Sequence, residues 1–289
     1  RQYLSKRSWG ASLPQTSRLF TLSQLFVYPV KSLRGIAVSR ALAQERGLQF
    51  DRRWMIIDAQ GQMLTQRKWG VLAQVETAIG QCLTLSRGAD SVKIPRETQG
   101  PRRAATVWHD TVSGVDCGDE AAQFLGEILR QNARLVWMDA AAQRAIPADF
   151  RRANESETTS FADAFPFLLL GEATLADLND RILQNGGENR IEIERFRPNF
   201  VFSGGAALEE ETWSEFSMGE AKFRAVKPCS RCVVVSLDPL SGEKTGAEPL
   251  KTLQTYRKIG AAGYLGQNAL TLQSGEVKIG DEIRVGSWK

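Results

Sequence analysis

Apolar and polar positions alternate along much of the first half of the chain. Residues 22 to 45 read as extended structure. The string LSQLFVYPVKSL is rich in aromatic and β-branched residues, and Pro29 closes its first run. RRWMIIDAQGQMLTQRK predicts a hairpin, with one arm over Trp54 to Ile57, a turn around Asp58 to Gly61, and a return over Met63 to Thr65. AQVETAI, CLTLSR and VKI predict further short strands, and AATVWHDTVSGVD predicts one more, broken near Gly114. The period then changes. In DEAAQFLGEILRQ, Ala122, Leu125, Ile128 and Leu129 keep helical spacing, and Asp119 and Glu120 suit the positive N-terminal end of a helix. A strand, RLVWM, follows.

Residues 139 to 160 are polar with scattered charge and read as a linker. Beyond them FPFLLLG predicts a buried strand running directly into an amphipathic helix, EATLADLNDRIL, stopped by Gly186 and Gly187. NFVFSG, AKFRAV, CVVVSL, ALTLQ and EVKIGDEIRVG are short strands between turns, the pattern of a barrel or sandwich with few helices. The expected class is α+β, mainly β. The expected division is a basic arm over 1–18 with no assigned role, a first domain over 19–138 and a second over 139–289.

Composition narrows the function. With 289 residues and 42% hydrophobic content, one large or two smaller cores can form. No apolar run reaches 18 residues, so no transmembrane helix is expected. The net charge of +4 fits a small anionic ligand, and without a basic stretch interleaved with aromatics no nucleic-acid partner is expected. Arg1, Lys6, Arg7 and Arg18 meet no acid in the first 18 residues, a segment that suits a trimmed targeting sequence or a short arm. Four cysteines are too few for a disulfide scaffold, so a reducing compartment, cytoplasmic by default or mitochondrial if the arm is a targeting remnant, is expected. His109, the only histidine, rules out any mechanism needing two.

Five segments carry candidate chemistry. In VKPCSRCVVVSLD, Cys229 and Cys232 form a CxxC at the entrance to an expected strand. It can be a redox pair, half of a zinc site, a single thiolate for a cofactor-held metal, or two ordinary buried cysteines. Lys227 and Arg231 would favour a thiolate. In YPVKSLRG, Lys31, Ser32 and Arg34 stand at a strand end beside Gly35, suited to an anion or merely solvated. In FDRRWMI, alternation puts Arg52 beside Trp54 on one face and Arg53 on the other, so Arg52 needs a carboxylate or a phosphate. In RFRPNFVFSG, Arg195 and Arg197 would join Lys31 and Arg52 in a pocket for a polyanion, with Asn199 beside them. In FADAFPFLLLG, Asp163 is a hydrogen-bond acceptor before a buried strand, or a turn aspartate.

Taken in series, these segments resemble the MOSC family in the branch that carries an N-terminal β-barrel partner and includes bacterial YcbX-type proteins and the mitochondrial amidoxime-reducing component. The likeness continues through Glu248 to Leu253, Gly266 to Asn268 and VKIGDEI, and covers roughly residues 22 to 286. It implies an N-terminal β-barrel-like domain, a MOSC β-barrel with peripheral helices, and a molybdenum cofactor (a molybdopterin) held between them. By motif position the metal ligand would be Cys232, with Asp163 near the metal. Lys31, Ser32, Arg52, Arg197 and Asn199 would hold the pterin and its phosphate. The implied reaction reduces N-hydroxylated compounds (amidoximes, hydroxylamines, N-hydroxylated bases) to amines or amidines plus water. Two departures stand out. Ala164 and Phe165 replace hydroxyl residues found in mitochondrial relatives. The sequence given also lacks the ferredoxin-like domain with which YcbX-type chains often continue, so electrons would come from such a domain elsewhere in a longer chain or from a separate ferredoxin, flavodoxin or cytochrome b5-like donor. Competing readings are a sulfur carrier with a persulfide on Cys232, and a non-enzymatic anion-binding module. Proton delivery would fall to solvent, the metal site or Asp163, with His109 in the other half of the chain.

Overall fold

A computed structural model describes residues 19–152 and 157–289. The basic arm over 1–18 lies outside the described residues. The chain is mainly β, and its centre is a closed seven-stranded barrel. Around it run Phe167–Gly171, Phe200–Ser203, Phe20–Val27, Glu282–Trp288, Trp213–Met218, Ala221–Ser230 and Ala262–Gln273. Phe167–Gly171 closes the ring by pairing with Ala262–Gln273, and its pairing with Phe200–Ser203 is the barrel's parallel one. Closure leaves no unpaired barrel edge.

Aromatic side chains fill the barrel. Phe167 stacks on Phe200 and Phe216 on Phe223, with ring centroids 5.3 and 5.2 Å apart, and Phe20 meets Trp213 edge-on at 4.9 Å. Alternation produces this interior: Phe200 and Phe202, two apart, both enter the same core. On its outer side, the helices Glu172–Gln184 and Leu250–Tyr256 cover Leu170, Val201 and Tyr28 with Leu178, Ile182 and Leu253.

A second core lies around Trp54, Ile56, Leu125 and Leu135. It is built by the strands Trp54–Ile57 and Arg134–Trp137, by a three-stranded sheet over residues 76–95, and by the helix Asp119–Leu129. Asp110–Asp116 and Arg102–Val107 extend the first sheet, and their Ala105, Val107 and Val112 pack with Met55, Val136 and Phe161 in a separate cluster. The barrel draws on both ends of the chain. Phe20–Val27 sits between Phe200–Ser203 and Glu282–Trp288, and Arg40–Gln44 pairs with Gly275–Lys278.

Three local expectations differ from the structure. AATVWHDTVSGVD is two strands reversing at Trp108–His109, and Gly114 sits inside the second, paired with Arg103. The reversal has no Gly, Asn or Pro at its tip, so the string reads as one strand. CVVVSL is not a strand: the strand Ala221–Ser230 ends before it, and Val233–Ser236 is a 3-10 turn that buries only Val235 of its three valines. Residues 139–152 are irregular and largely exposed, but they are no free linker, because Arg144, 5% exposed, and the fully buried Ile146 anchor them inward.

Candidate functional site

A cleft of about 710 Å³ opens where the two cores meet. Its walls include Lys31, Ser32, Arg52, Asp163, Arg197, Asn199 and Cys232, so the fold brings together the seven residues that the family resemblance assigns to the cofactor. Five separate chain segments deliver them.

Lys31 follows the first barrel strand and is 5% exposed. Its ammonium is ion-paired with Asp163, which also accepts from Arg67 at 3.1 Å. Burial pulls the Lys31 ammonium below its ordinary value, and Asp163 opposes that pull. Burial would raise the Asp163 carboxyl, yet Lys31 and Arg67 overcome it and hold the group well below the usual carboxylate range. Ser32 occupies a turn with φ 70° and its hydroxyl bonds to none of the described residues.

Arg52 does not continue the following strand. Its φ is 49°, and the strand starts at Trp54, so alternation does not extend back to it. Arg53 turns aside and donates to the Met138 carbonyl at 3.3 Å. Arg52 bonds the fully buried Asp51 at 2.6 and 2.9 Å, Asn199 Oδ1 at 3.2 Å and the Arg197 carbonyl at 3.2 Å. The partner of Arg52 in the protein is therefore a carboxylate. Asn199, 1% exposed, donates to Asp51 at 3.0 Å and to the Phe26 carbonyl at 3.2 Å, and accepts from the Leu168 amide. Its amide is committed to protein groups, so it organises the wall.

Arg52 and Arg197 both lie over the Tyr28 ring, 4.2 and 4.3 Å from its centroid. Burial pushes the Arg197 guanidinium down to about 10. Among the described residues none accepts a hydrogen bond from it, which leaves its fork of donors available to a ligand. Arg195, expected in the same cationic pocket, is instead engaged by Glu192, the Leu237 carbonyl and Thr245. Arg34 leaves the cleft for Glu76 and the Leu240 carbonyl.

Both thiols of the CxxC are free, half-buried and in the cleft wall. Arg231 serves Cys229, with Nη1 3.0 Å from Sγ, and its Nε is buried without a partner among the described residues. The cation beside Cys232 is Arg67. Burial works against the Arg67 charge, but Asp163 and Cys232 together hold it above its ordinary value. Lys227, expected at the thiol, lies over the Phe150 ring. Ala164 and Phe165 line the cleft as apolar wall.

Sequence reasoning missed Asp51, Arg67, Arg144 and the hairpin tip. Asp51 stands next to Arg52, and its burial was signalled only by the arginine's need for a partner. Arg144 lies in the stretch whose polar composition predicts a linker, yet it donates to the carbonyls of Ser160, Ala162 and Asp163 and to Asp110. His109, assigned away from the site by its place in the sequence, lines the cleft with Trp108 and Asp110.

A closed barrel against a second β core, with a cationic, thiol-bearing cleft between them, defines the class: a two-part, mainly β protein. Residues 19–132 match the MOSC N-terminal beta barrel domain and residues 156–284 the MOSC domain. Mitochondrial amidoxime-reducing component 1 of Mus musculus is 32% identical over 301 residues, spanning 96% of this chain and 86% of that protein. The Homo sapiens protein of the same name is 33% identical over 283 residues, with 91% and 82% covered. Mitochondrial amidoxime reducing component 2 of Bos taurus is 35% identical over 247 residues, with 82% and 72% covered. The chain belongs to the MOSC family that carries the N-terminal β-barrel domain.

Proposed function

We propose that this chain is a molybdenum-cofactor-dependent reductase of N-hydroxylated small molecules, yielding amines or amidines plus water. The observation that carries the reading is the pairing of an accessible thiol, Cys232, with one cleft cation, Arg197, whose donors the protein does not consume. The Arg197 guanidinium has no protein acceptor among the described residues, as a phosphate-bearing ligand requires. No group of three His, Cys, Asp or Glu side chains gathers among the described residues, so a metal on Cys232 would bring its other ligands with it. The residues present fit a molybdopterin.

Cys232 would supply the protein thiolate, with the Arg67 guanidinium beside it. Arg197, Ser32 and Lys31 would bind the pterin phosphate, and Arg52, Asp51 and Asn199 would fix the wall that carries Arg197. When bound, the cofactor supplies the two-electron step that cleaves the N–O bond. Two protons complete water, and Asp163, held ionised by Lys31 and Arg67, is suited to orienting the N–OH group rather than to donating. Electrons would arrive from a separate donor protein such as a ferredoxin, flavodoxin or cytochrome b5-like carrier. The relatives named as amidoxime-reducing components support this substrate class.

Elemental analysis of protein from molybdate-supplied cells tests the reading, wild type beside Cys232→Ser. Near-stoichiometric molybdenum in the wild type, lost in the variant, together with reduction of an amidoxime by the wild type, is the expected result. Wild-type protein without molybdenum from cofactor-competent cells would overturn it.

A further inference from the structure

The reversal at Trp108–His109 places a large aromatic where turn chemistry calls for a small residue. Val107 pairs with Asp110, so Trp108 and His109 are the whole tip. Trp108 has φ 57°, a region in which a bulky side chain is an outlier and which glycine ordinarily fills in two-residue hairpin turns. The indole is not buried to compensate: Trp108 is 43% exposed and lines the cleft. Neither folding propensity nor core packing accounts for tryptophan here, and strain of this kind is characteristic of functional sites.

The tip is tied to the chemistry from two sides. The Arg67 guanidinium lies over the indole, 4.4 Å from its centroid, and the same guanidinium bonds Asp163 and interacts with Cys232. The aromatic surface is thus one arginine away from the thiol. On the other side, Asp110, next after the tip, pairs with Arg144 at 2.7 Å, and Arg144 grips the carbonyls of the loop that carries Asp163. This clamp fixes the tip relative to the loop instead of letting it swing.

We propose that Trp108 is a specificity-determining platform on which planar, π-conjugated substrates lie, with Arg67 joining the platform to the reacting end of the cleft. The class selected is aromatic amidoximes and N-hydroxylated bases, whose flat faces stack on indole. Small aliphatic hydroxylamines have no face to offer and gain nothing from it. This rests on the reductase reading and adds to it the source of substrate preference.

Trp108→Gly removes the ring while suiting the positive φ, so it does not burden folding, and Trp108→Phe keeps a stacking surface. Two measurements are made on the full chain: binding of benzamidoxime by calorimetry without reductant, and KM and kcat for benzamidoxime and N-methylhydroxylamine with a chemical electron donor. Trp108→Gly is expected to weaken benzamidoxime binding and raise its KM by about tenfold, a loss at least fivefold larger than for N-methylhydroxylamine, as expected for loss of one stacking contact. Trp108→Phe should recover most of the binding. Equal binding of benzamidoxime by wild type and Trp108→Gly, no binding by wild type, or equal losses for both substrates would overturn the platform. Failure of the wild type to reduce either substrate would sink the reductase reading instead, and the binding comparison would still decide the role of Trp108.

Discussion

Lys31 and Asp163, 132 residues apart in sequence, form an ion pair that joins the end of the first barrel strand to the loop before the buried strand Phe167–Gly171. The ammonium is buried, whereas the carboxylate side chain is 56% exposed to the cleft. The pair therefore holds a cation in reserve: Asp163 balances Lys31 and Arg67 without removing them from the wall.

Asp163→Asn should accordingly tighten the binding of inorganic phosphate several-fold, because two cations lose their shared counterion. It should also destabilise the fold by roughly 1 kcal/mol, since a buried ammonium loses its partner while solvent screens the exposed side. Calorimetric titration with phosphate and urea unfolding read both effects. Weaker phosphate binding would show that Asp163 positions the cations instead of masking them.

Tyr28 serves through its ring, not its hydroxyl. The hydroxyl is buried without a partner among the described residues, while the ring carries Arg52 and Arg197. Tyr28→Phe should leave stability unchanged or raise it by up to about 1 kcal/mol, because an unsatisfied buried polar atom is removed. Tyr28→Leu should cost about 2–4 kcal/mol and weaken phosphate binding, as both cation–π contacts go. Gly35→Ala should resemble Tyr28→Leu in its effect on the anion site, since the added methyl would stand 2.4 Å from the Tyr28 ring. Denaturant midpoints for the three variants check this, and a Tyr28→Phe loss as large as that of Tyr28→Leu would contradict it.

Glu210, fully buried, bonds the Gly171 amide and the Thr174 hydroxyl. Burial pushes its carboxyl from 4.5 up to about 7 despite those bonds. Between those values the folded state holds more protons than the unfolded state, so stability falls as pH rises from about 4.5 to 7, and the cost is complete above 7. Glu210→Gln, which mimics the protonated form, should exceed wild type by roughly 2–3 kcal/mol at pH 8, with the gap closing towards pH 5. Thermal unfolding of both proteins across this range measures it; a gap that widens on acidification would refute the assignment.

The barrel interior should tolerate little loss of volume. Phe223 is fully buried and touches the rings of Phe167, Phe200 and Phe216. Phe223→Ala should cost about 3–5 kcal/mol through lost burial and the cavity it leaves, and Phe223→Leu under half of that. Urea unfolding at constant m value would read the difference.

Much of this protein was legible in its sequence because the information is local. Period-two alternation fixed the aromatic interior of Phe200–Ser203, helical spacing fixed Asp119–Leu129, and the abrupt change from FLLLG to EATLADL fixed the strand-to-helix junction at Gly171. Motif order pointed to Lys31, Ser32, Arg52, Asp163, Arg197, Asn199 and Cys232, which do share a cleft, but not to Arg67 or Arg144 beside them. The errors fall where local signals mislead. Trp108 and His109 carry no turn chemistry, so the reversal there could not be read. The valines after Cys232 have strand propensity, yet the ladder has ended by Ser230 and the chain must turn.

Tertiary structure decided the pairings. Which of several cations meets which acceptor depends on side chains arriving from segments more than a hundred residues apart, and such distances leave no trace in local periodicity. Arg52 meeting Asn199 and Arg67 in place of Lys227 beside Cys232 both arise in this way, while Arg144 is turned inward from an apparent linker by acceptors 16 to 34 residues away. So does the barrel's dependence on Phe20–Val27, because a closed sheet must satisfy both edges of every strand and here takes one strand from the beginning of the described chain to do so.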